Sequence, residues 1–280
     1  MFTVSGRYRT RQWRVLSLGC LTLLVTLAGF ATSVEATPIY IESRGTTLDV
    51  IDSNTGASSV IGPYGVAGVL AQAFGPDGVL YAMFNAGSPN AHLATVNTQT
   101  GAATPIGAAT GVALQAMAFG PDGTLYAGSF TTNNLYKINL STGAPTLIGS
   151  LGFNWIMDLA FDSANQTMYA IAAPPNCTGS SFYSVNLGTG NGSLISNVPA
   201  DDCLMALAAD SSGRLFTTGF MTGTLYQIDA LTGNTINIGN TGVFSTMGAA
   251  INPVPEPASI LLFSSGVMGL ARIVRRKRAS

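Results

Sequence analysis

The interior of this 280-residue chain is one unit used five times. A segment LAQAFGPDGVLYA from Leu70 recurs as LQAMAFGPDGTLYA from Leu114, and in weaker form as IMDLAFDSANQTMYA from Ile156 and LMALAADSSGRLFT from Leu204. Each copy reads as strand, tight turn, strand. Five third strands then end in IDSNTG, VNTQTG, INLSTG, VNLGTG and IDALTG, with their Asp or Asn at 52, 97, 139, 186 and 229, so the steps are 45, 42, 47 and 43 residues. An Asx side chain bonds the backbone ahead of it and Gly accepts positive φ, so these are hairpin turns that shape the chain. A short fourth strand follows each turn, in SSVIG, ATPIG, PTLIG, GSLIS and TINIG. Four strands in a repeat of about 45 residues is the pattern of a β-propeller blade.

Strand counting decides how such a ring closes. The first repeat, from Ile39, has strands two, three and four but no first strand, whereas TMGAAINP near residue 250 supplies a first strand and nothing after it. Pairing the two completes a fifth blade and leaves no open edge. The fold class expected is therefore all-β: a five-bladed propeller of four-stranded blades over residues 37–252. Matched positions support this. The second strands share an aromatic at Tyr40, Tyr81, Tyr126, Tyr169 and Phe216, which reads as packing between blades. The first strands share Ala73, Ala118, Ala160, Ala208 and Ala250, and two residues earlier, on the same face, stand Ala71, Ala116, Asp158, Ala206 and Gly248. Small residues suit the crowded centre of a ring. Asp158 is the charged exception.

The net charge of −1 hides a segregation. Nine of the twelve Lys and Arg lie outside residues 37–252, leaving Arg44, Lys137 and Arg214 against eleven Asp and Glu, or −8 for the body. An acidic body repels phosphate backbones, so nucleic acid is not an expected partner. Scarce charge with abundant Gly, Ser, Thr and Asn also suits turns and short strands better than surface helices.

Both ends read as addresses rather than fold. Arg7, Arg9, Arg11 and Arg14 precede an apolar run from Val15 to Phe30 and a Val34-Glu35-Ala36 site that a signal peptidase could cut, so residues 1–36 are expected to be a signal peptide. Cleavage after Ala31 and an uncleaved anchor are the alternatives, and Cys20 is filler within the run. At the other end, residues 253–280 hold Pro255-Glu256-Pro257, then 17 mostly apolar residues from Ala258 to Val274, then Arg275-Arg276-Lys277-Arg278. As a transmembrane helix the apolar stretch would span about 25 Å, slightly short of a ~30 Å hydrocarbon core, and Arg272 could snorkel. The basic cluster would stay cytoplasmic, placing the body outside.

This three-part tail resembles the PEP-CTERM sorting signal of exported proteins in Gram-negative bacteria that also make extracellular polysaccharide. The resemblance covers residues 254–278 and implies an exosortase-type processing enzyme as partner, with the cell surface or extracellular matrix as destination. An ordinary C-terminal membrane anchor is the alternative. The body resembles the NHL and YVTN-type propellers in its xPDGxLYA and IDxxTG elements, across Ile39 to Asn252. That likeness is one of architecture, and propellers host binding, scaffolding and catalysis alike.

Candidate chemistry is sparse. Asp158 could project into the central channel and meet a ligand, or be satisfied by local backbone N–H groups, such as those of the Asn154-Trp155 loop. Loops joining strand two to three and strand four to the next strand one share one face, gathering Asn154, Trp155, Asp201, Asp202, Cys203, Cys177 and the sole histidine, His92. Cys177 and Cys203 border the fourth blade in an oxidising compartment, so a disulfide between them is expected. Free thiols or an intermolecular bridge are the alternatives. His92 reads as a loop residue, and one histidine precludes a multi-histidine metal site. Asp77 and Asp122 belong to Pro-Asp-Gly turns. No nucleotide loop, catalytic triad or calcium loop is visible, so no catalytic residue, metal or cofactor is assigned. The leading expectation is a non-catalytic surface propeller that binds polysaccharide or a surface protein, with Asp158, Asn154, Trp155, Asp201 and Asp202 as ligand-binding candidates. The rival is a hydrolase or lyase of sugars or lactones using Asp158, Asp201 and Asp202, which would need carboxylates converging about 5 to 9 Å apart at the channel mouth.

Overall fold

The computed structural model describes residues 36–198 and 202–253. The signal segment, Asp201 and the sorting tail from Val254 onward lie outside the described residues, and no described helix is long and apolar enough to cross a membrane.

Among the described residues, twenty strands form five four-stranded antiparallel sheets. The second blade is β4 (Ala71–Phe74), β5 (Leu80–Phe84), β6 (His92–Val96) and β7 (Ala103–Ile106). The third is β8 (Leu114–Phe119), β9 (Leu125–Ser129), β10 (Asn134–Ile138) and β11 (Pro145–Ser150). The fourth is β12 (Ile156–Asp162), β13 (Thr167–Ala172), β14 (Ser180–Val185) and β15 (Gly192–Val198). The fifth is β16 (Leu204–Ala209), β17 (Leu215–Gly219), β18 (Thr224–Ile228) and β19 (Thr235–Asn240). The first blade joins both ends of the ring: β20 (Ala249–Ile251) pairs with β1 (Pro38–Ser43), followed by β2 (Thr47–Asp52) and β3 (Ser58–Pro63). Ile39, Tyr40 and Ile41 lie opposite Ile251, Ala250 and Ala249. The closure expected from strand counting is the one observed.

Five apolar clusters hold the blades to one another. The second-strand aromatic of each blade meets the end of the next blade's inner strand: Tyr40 packs edge-on against Phe74 at 5.1 Å, and Tyr81 packs tilted against Phe119 at 5.4 Å between ring centroids. Tyr126 shares a cluster with Phe161, Tyr169 with Ala209, and Phe216 with Ile251. Aromatic contacts of this kind add about 0.5–1.5 kcal/mol beyond burial.

The Thr-Gly turns do more than reverse the chain. Their Asx side chains cap the turn as expected, Asn97 Oδ1 accepting from the N–H groups of Gln99 and Thr100 at 2.9 and 3.0 Å. The turns also dock on the outer strand of the preceding blade. A Cβ added at Gly62, Gly149 or Gly239 would overlap the carbonyl oxygen of Thr100, Thr189 or Thr55 respectively, and the last of these contacts closes the ring. The recurring Ile-Gly of the fourth strands is thus a seat for the next turn. In the fourth blade Ser196 takes that place and faces Gly233.

Gly149→Ala should therefore lower stability by about 2 kcal/mol through overpacking against the turn at Thr189. Urea denaturation checks this, and a change under about half a kcal/mol would remove the seating role.

Candidate functional site

Inner strands pair on one side only, so their other edge points N–H and C=O groups at the ring axis, where each buried donor needs a partner. The structure meets that need with Asp158. Its carboxyl group is wholly buried. Oδ1 accepts from the Leu159 N–H at 2.9 Å, and Oδ2 accepts from Leu207 at 2.9 Å and Ala249 at 3.1 Å. The Met117 N–H is a fourth donor. These residues occupy matched positions on β8, β12, β16 and β20, so one side chain gathers the inner edges of four blades. Of the two placements read from the sequence, hydrogen bonding to the backbone is the one seen, but the donors are the adjoining Leu159 and three other blades' inner strands rather than the Asn154-Trp155 loop. Burial raises the Asp158 pKa well above the ordinary carboxyl value, against the pull of its four N–H donors.

Below Asp158 the axis opens into a blind cavity of about 330 Å³. Its wall includes Ala73, Ala118, Ala160, Ala208 and Ala250, and its mouth is bordered by Pro76, Pro121, Ser163, Asp210, Ser211 and Pro253. The mouth therefore lies on the face of the strand-one-to-two turns, termed here the channel face. The opposite, loop face is sealed at the axis, where Ala71, Ala116, Asp158 and Ala206 are all buried. Among the described residues the cavity is lined by one carboxylate, Asp210, whose Oδ2 is 2.7 Å from the Arg214 Nε.

The loop-face candidates separate. Asp202 is buried; Oδ1 accepts from the Met221 N–H at 2.8 Å, and Oδ2 from the Thr222 N–H at 2.9 Å and its hydroxyl at 2.6 Å. It braces the β17–β18 turn instead of facing solvent. His92 opens β6 rather than lying in a loop, and its ring stacks on Phe84 at 5.0 Å. Cys177 and Cys203 form a disulfide with Cα atoms 5.1 Å apart, fastening the β13–β14 loop to the start of the fifth blade.

Asn154 and Trp155 do come together in a cleft, of about 590 Å³, whose lining also includes Phe153, Tyr183, Ser181, Thr178 and Asn197. Phe153 and Tyr183 stack at 3.9 Å. Trp155 is 42 % exposed, and its φ of 61° lies in the left-handed region, which is costly for a bulky residue. The amide carbonyls of Asn154 and Asn197 are held by Asn133 Nδ2 at 2.7 Å and the Ser181 hydroxyl at 2.9 Å. Disulfide-bonded Cys177 is adjacent to Thr178 in the cleft wall.

Glu42 is a buried acid that the sequence reading passed over. It accepts from the Gly45 N–H at 2.6 Å and from the Met247 N–H, and so ties β1 to the segment that delivers β20. It stands two residues after the matched aromatic Tyr40, where the other blades have Met83, Gly128, Ile171 and Thr218. The comparison that exposed Asp158 would have exposed Glu42. Burial, with a smaller push from Asp49, raises its pKa from 4.5 to about 7.

Residues 40–252 match a repeat family of unknown function, DUF6923. The chain belongs to that family. Residues 253–278 match the PEP-CTERM protein-sorting motif, which marks this DUF6923 propeller as an exported, exosortase-processed surface protein. No curated protein matches the chain. Among solved structures, one in a nidogen/laminin complex aligns with a TM-score of 0.54 at 11% identity, over 77% of this chain and 98% of that one. A structural genomics protein of unknown function from Bacteroides thetaiotaomicron VPI-5482 aligns with a TM-score of 0.52 at 17% identity, over 79% of this chain and 60% of that one. These likenesses show the propeller fold.

The raised pKa of Glu42 carries a sign. Folding favours its protonated form, so its contribution, about 3 kcal/mol for a shift of this size, is complete below the unfolded value of 4.5 and fades as pH rises through about 7. The lowered pKa values of Asp122 and Asp229 work oppositely, their contribution fading as pH falls below 3.8. Thermal melting should peak at about pH 4 to 5 and decline toward pH 8, and Glu42→Gln should flatten that decline. Stability rising steadily from pH 5 to 8 would contradict the assignment.

Proposed function

We propose that this exported propeller is a non-catalytic binding protein that holds extracellular polysaccharide in the fourth-blade cleft formed by Asn154, Trp155, Ser181 and Asn197. The observation that carries this reading is Trp155, an exposed indole kept in a costly backbone conformation at the edge of a ready-made concavity. Sugars present flat C–H faces ringed by hydroxyls. An indole offers those faces an apolar platform, and oriented amides and hydroxyls offer the ring of polar groups a partner. The disulfide and the Asn133–Asn154 and Ser181–Asn197 bonds preorganise the wall, so binding costs little ordering. A binding role also fits the state of the buried acids, since both oxygens of Asp158 and Asp202 are engaged by the protein itself.

The finer address belongs to the same reading. Residues 1–36 act as the signal peptide, the apolar stretch from Ala258 to Val274 anchors the precursor as a transmembrane helix, and residues 37–252 are the domain delivered to the polysaccharide matrix.

Trp155 is the only tryptophan after Trp13, so the fluorescence of the signal-free protein reports on the cleft. Adding polysaccharide from the producing bacterium should shift that emission, and Trp155→Ala should weaken pull-down by tenfold or more. An unchanged spectrum together with undiminished pull-down of the variant would exclude the cleft.

A further inference from the structure

The two tethers of this chain leave the ring on one face. β1 begins at Pro38 beside the strand-one-to-two turn of the fifth blade, where the Arg214 guanidinium reaches the Thr37 hydroxyl at 3.4 Å. At the other end β20 finishes at Ile251, and Pro253 borders the channel mouth. Pro255 of the sorting motif is two residues further, at most about 7 Å of extended chain. The folded ring thus abuts the sorting motif with one residue, Val254, between them. An enzyme acting near Pro255-Glu256-Pro257 has no spacer that would let it work clear of the ring.

The face it meets is acidic. Strand-one-to-two and strand-three-to-four turns both open on this side, and they present exposed Asp77, Asp122 and Asp229 with half-buried Asp52. Lys137 is the exposed cation among them, because Arg214 is paired with Asp210. The loop face differs: among the described residues its acids, Glu42 and Asp202, are buried and hydrogen-bonded inside the protein.

We infer that the acidic channel face is the docking surface for the membrane-embedded sorting enzyme, which engages it through a cationic surface while taking up the adjoining Pro-Glu-Pro segment. The ring then stands with its channel mouth toward the membrane and its loop face outward. This inference rests on the sorting motif and not on the polysaccharide reading, and either can fail alone.

The test uses full-length precursor in membranes carrying its processing enzyme, followed by the rate at which precursor converts to the processed form. Asp52→Asn and Asp229→Asn reproduce turns that already carry Asn97, Asn139 and Asn186, and in Asp77→Asn and Asp122→Asn the amide oxygen can still cap the turn. The four changes together should slow conversion by about fivefold or more at low salt, as loss of steering charges does, while the ring stays folded with its melting temperature lowered only by the small contribution of the Asp122 and Asp229 carboxylates. A ten-residue Gly-Ser insertion between Pro253 and Val254 should also slow conversion, because it separates the docked face from the motif. Conversion of the fourfold variant at the unaltered rate would overturn the proposal. So would an insertion variant processed as fast as the parent or faster, since the face would then be an obstacle or a bystander.

Discussion

The inner strands of this ring converge on a carboxyl group that, among the described residues, has no cation beside it. Four inner strands turn their unpaired edges toward the axis, and Asp158 answers Met117, Leu159, Leu207 and Ala249 with two oxygens. Burying a carboxylate is expensive unless donors surround it, and the donors are equally expensive to leave dry. Each need meets the other here. The small residues at the matched positions of the other blades make room for the one side chain that reaches the centre.

At the periphery the ring is fixed by shape rather than charge. Each Thr-Gly turn sits on the outer strand of the preceding blade, where Gly62, Gly149 and Gly239 leave no space for a side chain. Between axis and rim lie the aromatic contacts that tie each second strand to the next inner strand. The junction between the chain's two ends uses all three devices: Ala249 at the axis, Phe216 with Ile251 between, and Gly239 at the rim. Glu42 adds a fourth, holding the segment that leads into β20.

Repetition made the architecture legible. Five copies in register gave the blade, the missing first strand gave the closure, and the shared aromatic gave the interblade contact. What repetition could not give was convergence: that Asp158 would meet backbone from β8, β16 and β20 depends on three distant strands arriving at one axis, and no local pattern encodes that. The same limit explains Asp202, whose partners Met221 and Thr222 lie across the fifth blade, and His92, which reads as loop until its stacking on Phe84 places it in β6. Asn154 and Trp155 were visible as neighbours in a loop. The cleft that gives them meaning comes from the fourth blade's outer strands, which bring Ser181 and Asn197 beside them.

These interactions divide the molecule into two working sides. Sealing the axis at the level of Asp158 leaves the loop face free to carry a lateral cleft, while both ends of the domain leave by the opposite face. The claim on which this depends is that the Asp158 carboxyl group holds the inner strands together. Equilibrium urea denaturation of Asp158→Asn tests it most directly, since the amide keeps the shape but turns N–H groups toward N–H donors. A loss of about 3 kcal/mol or more is predicted. Stability within about half a kcal/mol of the parent would contradict the account.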